Sequence, residues 1–190
     1  MTYSKRLKSD HDPEPFLEEI SGVAHAWDTS TGRQDKIPDQ REAKGISRRG
    51  LRNSAIGGRK RYDVHESRWT TVSQNCPAAR AFLKHVAQRQ DGILGRAKIV
   101  CLPAGKRVCP HIDRGRYYRV RNRYHLLLTA AHGSRMKAGD EEVRMRQGEL
   151  WWCDNDQMYG ANDDGDQNRI HMLFDMQTGH PAEEVPGAAA

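Results

Sequence analysis

From Ile93 onward the chain alternates short apolar runs with turn residues, and this pattern predicts an all-β body. The predicted strands are 96–102, 108–113, 121–130, 141–145, 149–153 and 169–176, separated by turns such as Pro103-Ala104-Gly105-Lys106 and Ala138-Gly139-Asp140. Ahead of them, 77–90 reads as a helix. Pro77 suits a first helical position, Ala81, Phe82, His85 and Val86 form a stripe, and Asp91-Gly92 closes it. Several short strands after one helix indicate a mainly β fold, a sandwich or barrel of the jelly-roll type. Residues 1–62 show little periodicity apart from a short helix opening at Pro15–Ile20, with Trp27 expected to dock on the body. The expected organisation is therefore an irregular extension over 1–62, a β domain over 63–178 and a loose Pro/Ala/Gly/Glu tail over 179–190.

Composition narrows the class. The chain is 36% apolar with a mean hydropathy of −0.89, low for a compact globule, so part of it should be loop. No apolar run reaches the roughly 18 residues of a membrane span, and no apolar signal region opens the chain. The four cysteines (Cys76, Cys101, Cys109, Cys153) form no CxxC pair and read as reduced thiols, which makes the cytoplasm the expected compartment. Net charge is +6, yet residues 41–61 alone carry +7 and residues 96–123 carry +8, so the remainder is acidic. Such blocks attract anions. No zinc-finger, RRM or basic-helix pattern accompanies them, which disfavours nucleic acid as the partner.

The chemistry begins at Cys109-Pro110-His111-Ile112-Asp113. In an extended strand residues i and i+2 share a face, so His111 and Asp113 are expected to converge. An imidazole and a carboxylate offered together are two thirds of the 2-His-1-carboxylate set that holds non-heme Fe(II). Alone, a His-x-Asp pair is more often a surface hydrogen-bonded pair than a metal site. Arg169 opens an apolar strand, where a charge needs a partner, and a guanidinium fork matches a carboxylate as lysine cannot. Arg123 lies beside Arg119 and Arg121, so a solvated basic face is an equal reading for it. His125 and His171 sit in apolar strands; a satisfied core histidine is an equal reading for His125 and the readier one for His171. Trp151 and Trp152 are adjacent and must point to opposite faces.

Five motifs in order carry a resemblance: Leu102-Pro103-Ala104-Gly105, Pro110-His111-Ile112-Asp113, Arg123-Tyr124-His125-Leu126, Gly148–Asn155 and Arg169–Asp175. Over about the last 80–100 residues the chain resembles the aspartyl/asparaginyl β-hydroxylase-like branch of the Fe(II)/2-oxoglutarate-dependent oxygenases. The resemblance implies a double-stranded β-helix, a cupin-like jelly roll with the metal inside one open end. It implies His111 and Asp113 as ligands to Fe(II), Arg169 as the anchor of 2-oxoglutarate, and Arg123 and His125 on the strand that helps bind that co-substrate. The implied activity is hydroxylation of an amino acid, a peptide side chain or a small molecule, acidic ones included. The oligomeric state stays open.

One position departs from the family. Its second histidine falls ten residues before the 2-oxoglutarate arginine, and here that position is Tyr159. A phenol has a pKa of about 10 and ligates well only as phenolate. Three readings follow: His111, Asp113 and water hold iron, or recruit Tyr159; a nearby group such as Asp156 shifts in; or turnover has lapsed and the pocket remains as a ligand- or partner-binding site.

Overall fold

A computed structural model describes residues 2–23, 27, 43–56, 59–130 and 132–179, with backbone alone for 51–56 and 59–64. In chain order the elements begin with β1 (Ser4–Lys8), α1 (Glu14–Ser21), β2 (Lys44–Ile56), β3 (Arg59–Trp69) and α2 (Pro77–Arg89). There follow β4 (Ile93–Leu102), β5 (Arg107–His111), β6 (Asn122–Thr129), β7 (Ser134–Ala138) and β8 (Glu141–Val143). The last three are β9 (Leu150–Cys153), β10 (Tyr159–Asp163) and β11 (Arg169–Gln177). All pairings are antiparallel, in a seven-stranded sheet β1-β9-β6-β11-β4-β2-β3 and a four-stranded sheet β5-β10-β7-β8. The fold is mainly β, a double-stranded β-helix with two helices. No described helix is long and apolar enough to cross a membrane.

Strand alternation sorts the large sheet into two chemically different faces. Tyr124, Leu126 and Leu128 of β6, Met172, Phe174 and Met176 of β11, and Ile99 of β4 share one core with Phe16 and Ile20 of α1 and Leu83 and Val86 of α2. Tyr124 stacks on Phe174 at 5.3 Å, and Phe82 meets Phe174 edge-on at 6.0 Å. The opposite face, Arg123 and His125 of β6, Arg169 and His171 of β11, and Lys98 of β4, turns to a cavity shared with the small sheet. Strands covered on both sides read as unbroken apolar runs, which is why Tyr124–Leu128 lacks a clean alternation.

The helix over 77–90 is present, but its buried positions are Ala79, Leu83, Val86 and Ala87, while Ala81 and His85 are exposed. The stripe thus sits about one position around the helix from where the sequence put it, with Phe82 at its flank. Glu19 of α1 accepts the amide of Ala79 at 3.2 Å and that of Ala78, so one helix caps the other. Trp27 packs against the core.

The irregularity expected of 1–62 is the main correction to the fold. β1 and β2 lie in the large sheet, and the expected domain boundary at 62/63 falls inside β3. β1 and β3 are the edge strands of the large sheet and β2 is next to an edge; β1 buries one large apolar side chain, Leu7, and the described part of β2 buries Ile46. Their place is set by backbone ladders rather than by an apolar face, so periodicity carries no signal for them. β7 and β10 were also unanticipated. Residues 180–190, expected as a loose tail, lie outside the described residues.

Gly148 is required where the chain enters β9. Its φ is +78°, and a Cβ there would stand 2.6 Å from the carbonyl oxygen of His11. At Gly160 a Cβ would meet the Val108 carbonyl oxygen at 2.9 Å, so the glycine lets β5 lie against β10 and brings His111 beside Tyr159.

Candidate functional site

The two sheets enclose a cavity of about 380 Å³. Its wall carries Arg169, Arg123, His125, His111 and Tyr159, five of the six residues singled out from sequence. Asp113, the sixth, lies two residues past the end of β5, since the strand expected to run to 113 stops at His111. It still joins the others through its carboxylate, which accepts hydrogen bonds from Arg123 Nη1 and from the Tyr159 hydroxyl.

His111 and Tyr159 are direct cross-strand partners, with ring centroids 4.5 Å apart. The Nδ1 of His111 donates to the Cys109 carbonyl at 2.8 Å, which leaves the ring lone pair on Nε2. Asp156, an alternative donor from sequence, is exposed and its amide binds Asp154.

Arg123 is the hub of a buried network. Its Nε donates to Asp175 Oδ1 at 2.9 Å and its Nη2 to Asp175 Oδ2 at 3.3 Å, while Nη1 reaches Asp113 and the Tyr159 hydroxyl, the latter at 2.5 Å. Burial opposes the charge on Arg123, but Asp175, Tyr159 and Asp113 outweigh it and hold the guanidinium firmly protonated. Burial also drives the Tyr159 phenol well above its usual range, and Arg123 does not offset this. Tyr159 is therefore a neutral donor to Asp113, and Asp113 and Asp175 share one guanidinium.

Arg169 is different. It is 2% exposed, its Nη2 meets the Met145 sulfur at 3.9 Å, and its Nε has no partner. Among the described residues no carboxylate forms an ion pair with it. Burial lowers its pKa to about 10, partly offset by Cys153 and Asp163. The guanidinium is still charged near neutral pH and lies against the cavity, with Asp163 as an electrostatic neighbour but not an ion-pair partner. His125 and His171 flank it as a buried pair, Nδ1 to Nδ1 at 3.0 Å.

Asp175 was legible as part of a motif but carried no assigned role. Its signal is register: Asp175 pairs directly with Arg123 across β11 and β6, and opposite charges on facing strand positions predict a pair once the strands are aligned. Trp151 and Trp152 point to opposite faces as expected, toward the Leu127 and Tyr124 sides of the sheet respectively. Neither lines the cavity.

The donor set does not fit a resident three-ligand ferrous centre. His111 and Asp113 supply one imidazole and one carboxylate, Tyr159 holds its proton, and Asp113 is engaged by two donors. Among the described residues no group of three His, Cys, Asp or Glu side chains is placed to hold a metal ion. A carboxylate ligand, by contrast, fits Arg169.

The two sheets and the cavity between them define a protein of the double-stranded β-helix class. The chain belongs to the aspartyl/asparaginyl β-hydroxylase family, whose pattern matches residues 48–179. No curated protein matches it. Among solved structures it is similar in fold to a 2OG-Fe(II) oxygenase family oxidoreductase from Burkholderia pseudomallei, at 7% identity over 82% of this chain and 93% of that one, TM-score 0.51. The collagen prolyl hydroxylase of Paramecium Bursaria Chlorella virus-1, solved with 2OG, is similar at 10% identity over 93% and 97%, TM-score 0.51. AviO1 from Streptomyces viridochromogenes Tue57 is similar at 14% identity over 98% and 92%, TM-score 0.50.

Proposed function

We propose that this protein binds 2-oxoglutarate, or another dicarboxylate of its length, with Arg169 taking one carboxylate, and that it works as a ligand-binding member of its family rather than as a ferrous hydroxylase. The observation that carries this reading is the buried Arg169 guanidinium, charged and without a carboxylate in a cavity of ligand size. An unpaired buried charge costs several kcal/mol, roughly, unless an external anion answers it. Lys98 on the same wall adds to the preference for an acidic ligand. The second half rests on the Arg123–Asp113–Tyr159 contacts. A cation binding at Asp113 would have to displace a guanidinium and a phenol that already donate hydrogen bonds to it.

A second reading, an Fe(II)/2-oxoglutarate-dependent hydroxylase acting on an amino acid, peptide side chain or small molecule, is favoured by one observation. The His111 tautomer keeps its lone pair on Nε2, the form a metal ligand needs. Iron with 2-oxoglutarate would then supply the oxidising chemistry, while this chain positions the acid at Arg169 and keeps water out of the cavity.

Succinate formation from 2-oxoglutarate, with Fe(II), ascorbate and O2, separates the two. The first reading expects none above a protein-free control; sustained succinate release establishes the second. Tyr159→His should raise Mn(II) affinity by at least about tenfold, because a neutral nitrogen donor replaces a phenol that must first lose its proton. Equal Mn(II) affinity in the variant and the parent would mean that Tyr159 does not stand at the vacant ligand position.

A further inference from the structure

At the far end of the cavity from Arg169 stands a second group of cations. Arg169 and Asp175 open and nearly close β11, roughly 20 Å apart at about 3.3 Å per residue. On the neighbouring strand β4, Leu102 pairs with Arg169 and Lys98 with Leu173. Arg96, on the same face as Lys98, therefore lies level with Asp175. Arg49 of β2 pairs with Ala97 and brings a third cation to this end. All three line the cavity. The β2 lining beside them is small, with Ser47 opposite Lys98 and Gly50 next to Arg49, so no bulky side chain fills the space over that strand. An extended five-carbon diacid held at Arg169 is shorter than this span.

Neither arginine forms an ion pair with a carboxylate among the described residues. Arg49 donates its Nε to the Gly95 carbonyl and its Nη2 to those of Ser67 and Leu94, which satisfies hydrogen bonds and leaves the charge in place. Burial lowers its pKa, and the group that offsets this is a phenol, Tyr117. Arg96 lies 3.9 Å over the Tyr117 ring, and its Nε is buried without a partner. Lys98 stands between the two ends of the cavity: its charge reaches His125 and His171, and its backbone pairs with Ser47. Asp175 is the one carboxylate among the described lining residues, and Arg123 donates to both of its oxygens. The Arg96 end thus gathers three cations beside a single carboxylate that is already engaged.

We propose, resting on the reading of Arg169 as the diacid anchor, that Arg96, Lys98 and Arg49 form a second subsite, which takes the terminal phosphate of a small phosphate monoester bound together with the diacid. A carboxylate brings one negative charge, enough for one guanidinium. A phosphate monoester brings about 1.5 to 2 at neutral pH and three acceptor oxygens, which matches a cluster of three cations. The guanidinium of Arg96 offers the unpartnered N–H, Lys98 adds a mobile ammonium, and Arg49, fixed by its carbonyls, supplies charge. These groups line the inside of a cavity and not an outer face. A phosphate at the end of a small molecule can enter; a phosphodiester in the middle of a nucleic-acid strand cannot.

The test is calorimetric titration of glycerol 3-phosphate into the full chain in HEPES at pH 7.5, with and without saturating 2-oxoglutarate. One glycerol 3-phosphate should bind per chain in both. Arg96→Gln should weaken it by about tenfold or more, the effect of losing a charge-assisted hydrogen bond. Ser47→Leu, which puts a bulky side chain beside Lys98, should abolish it. Arg116→Gln, at an exposed position, should leave it unchanged. Should Arg96→Gln fail to fold, Ser47→Leu decides alone. Absence of glycerol 3-phosphate binding overturns the subsite and leaves the Arg169 reading standing. Displacement of the phosphate by 2-oxoglutarate overturns it too, since both would then share one site. Equal weakening in Arg96→Gln and Arg116→Gln overturns it by showing diffuse attraction of anions. Displacement by a single-stranded oligonucleotide without terminal phosphates overturns the choice of a small monoester. Glycerol 3-phosphate that binds as expected where 2-oxoglutarate does not bind at all supports the subsite and overturns the Arg169 reading.

Discussion

Arg169→Ala should weaken 2-oxoglutarate binding by about thirtyfold to a thousandfold, the equivalent of roughly 2–4 kcal/mol for removing a buried fork from a carboxylate. Calorimetry on the metal-free protein reads this directly. Arg116→Ala, at an exposed position, should leave the affinity unchanged. Arg169→Lys should recover only part of the loss, since an ammonium cannot reproduce the planar two-point contact. The same alanine change should raise the melting temperature of the ligand-free protein, because it deletes a buried charge that makes no ion pair among the described residues. Opposite signs for binding and stability mark a residue kept for its ligand. Equal loss of affinity in Arg116→Ala and Arg169→Ala would instead mean diffuse attraction of anions by the basic surface.

Arg123→Ala should have the largest effect on stability. The guanidinium side chain is 6% exposed and holds Asp175, 3% exposed, and Asp113, 9% exposed. Removing it leaves two buried carboxylates without their cation, a change that costs on the order of 3–5 kcal/mol. Urea unfolding at pH 7.5 measures it. The cost should shrink on acidification. A proton taken up by an orphaned buried carboxylate removes the charge that has lost its cation, so the native variant binds protons that the parent does not and its deficit grows as pH rises. Destabilisation that is small and independent of pH would mean that Arg123 faces solvent, the alternative its neighbours Arg119 and Arg121 suggested.

The parts of this molecule that could be read from sequence are those where burial leaves a pattern. β4, β6, β9 and β11 carry apolar runs, and α2 carries a proline start and an Asp-Gly stop, so their existence and type were plain within a residue or a few. β2 and β3 could not be read this way: KGISRRGLRNSAI and RKRYDVHESRW are basic, and backbone pairing at the sheet margin, not a hydrophobic face, fixes them. β10, YGAND, contains three residues poor in strand propensity and is held between β5 and β7. For the site, residue type and order were enough to select His111, Asp113, Arg123, His125, Tyr159 and Arg169, and the structure gathers all six around one cavity. What the sequence could not convey was pairing. Which of two arginines is satisfied and which is not depends on Asp175 facing Arg123 across the sheet, a matter of register. The same register brings His125, a site candidate from sequence, together with His171, which on its own reads more readily as core.

The central claim is that the carboxylate site of a 2-oxoglutarate oxygenase fold works here without a metal centre. The most direct measurement is titration of 2-oxoglutarate into chelator-treated protein, repeated with saturating Mn(II). One ligand per chain, with the same affinity in both, is the expected result. Binding that appears only when Mn(II) is present would contradict it.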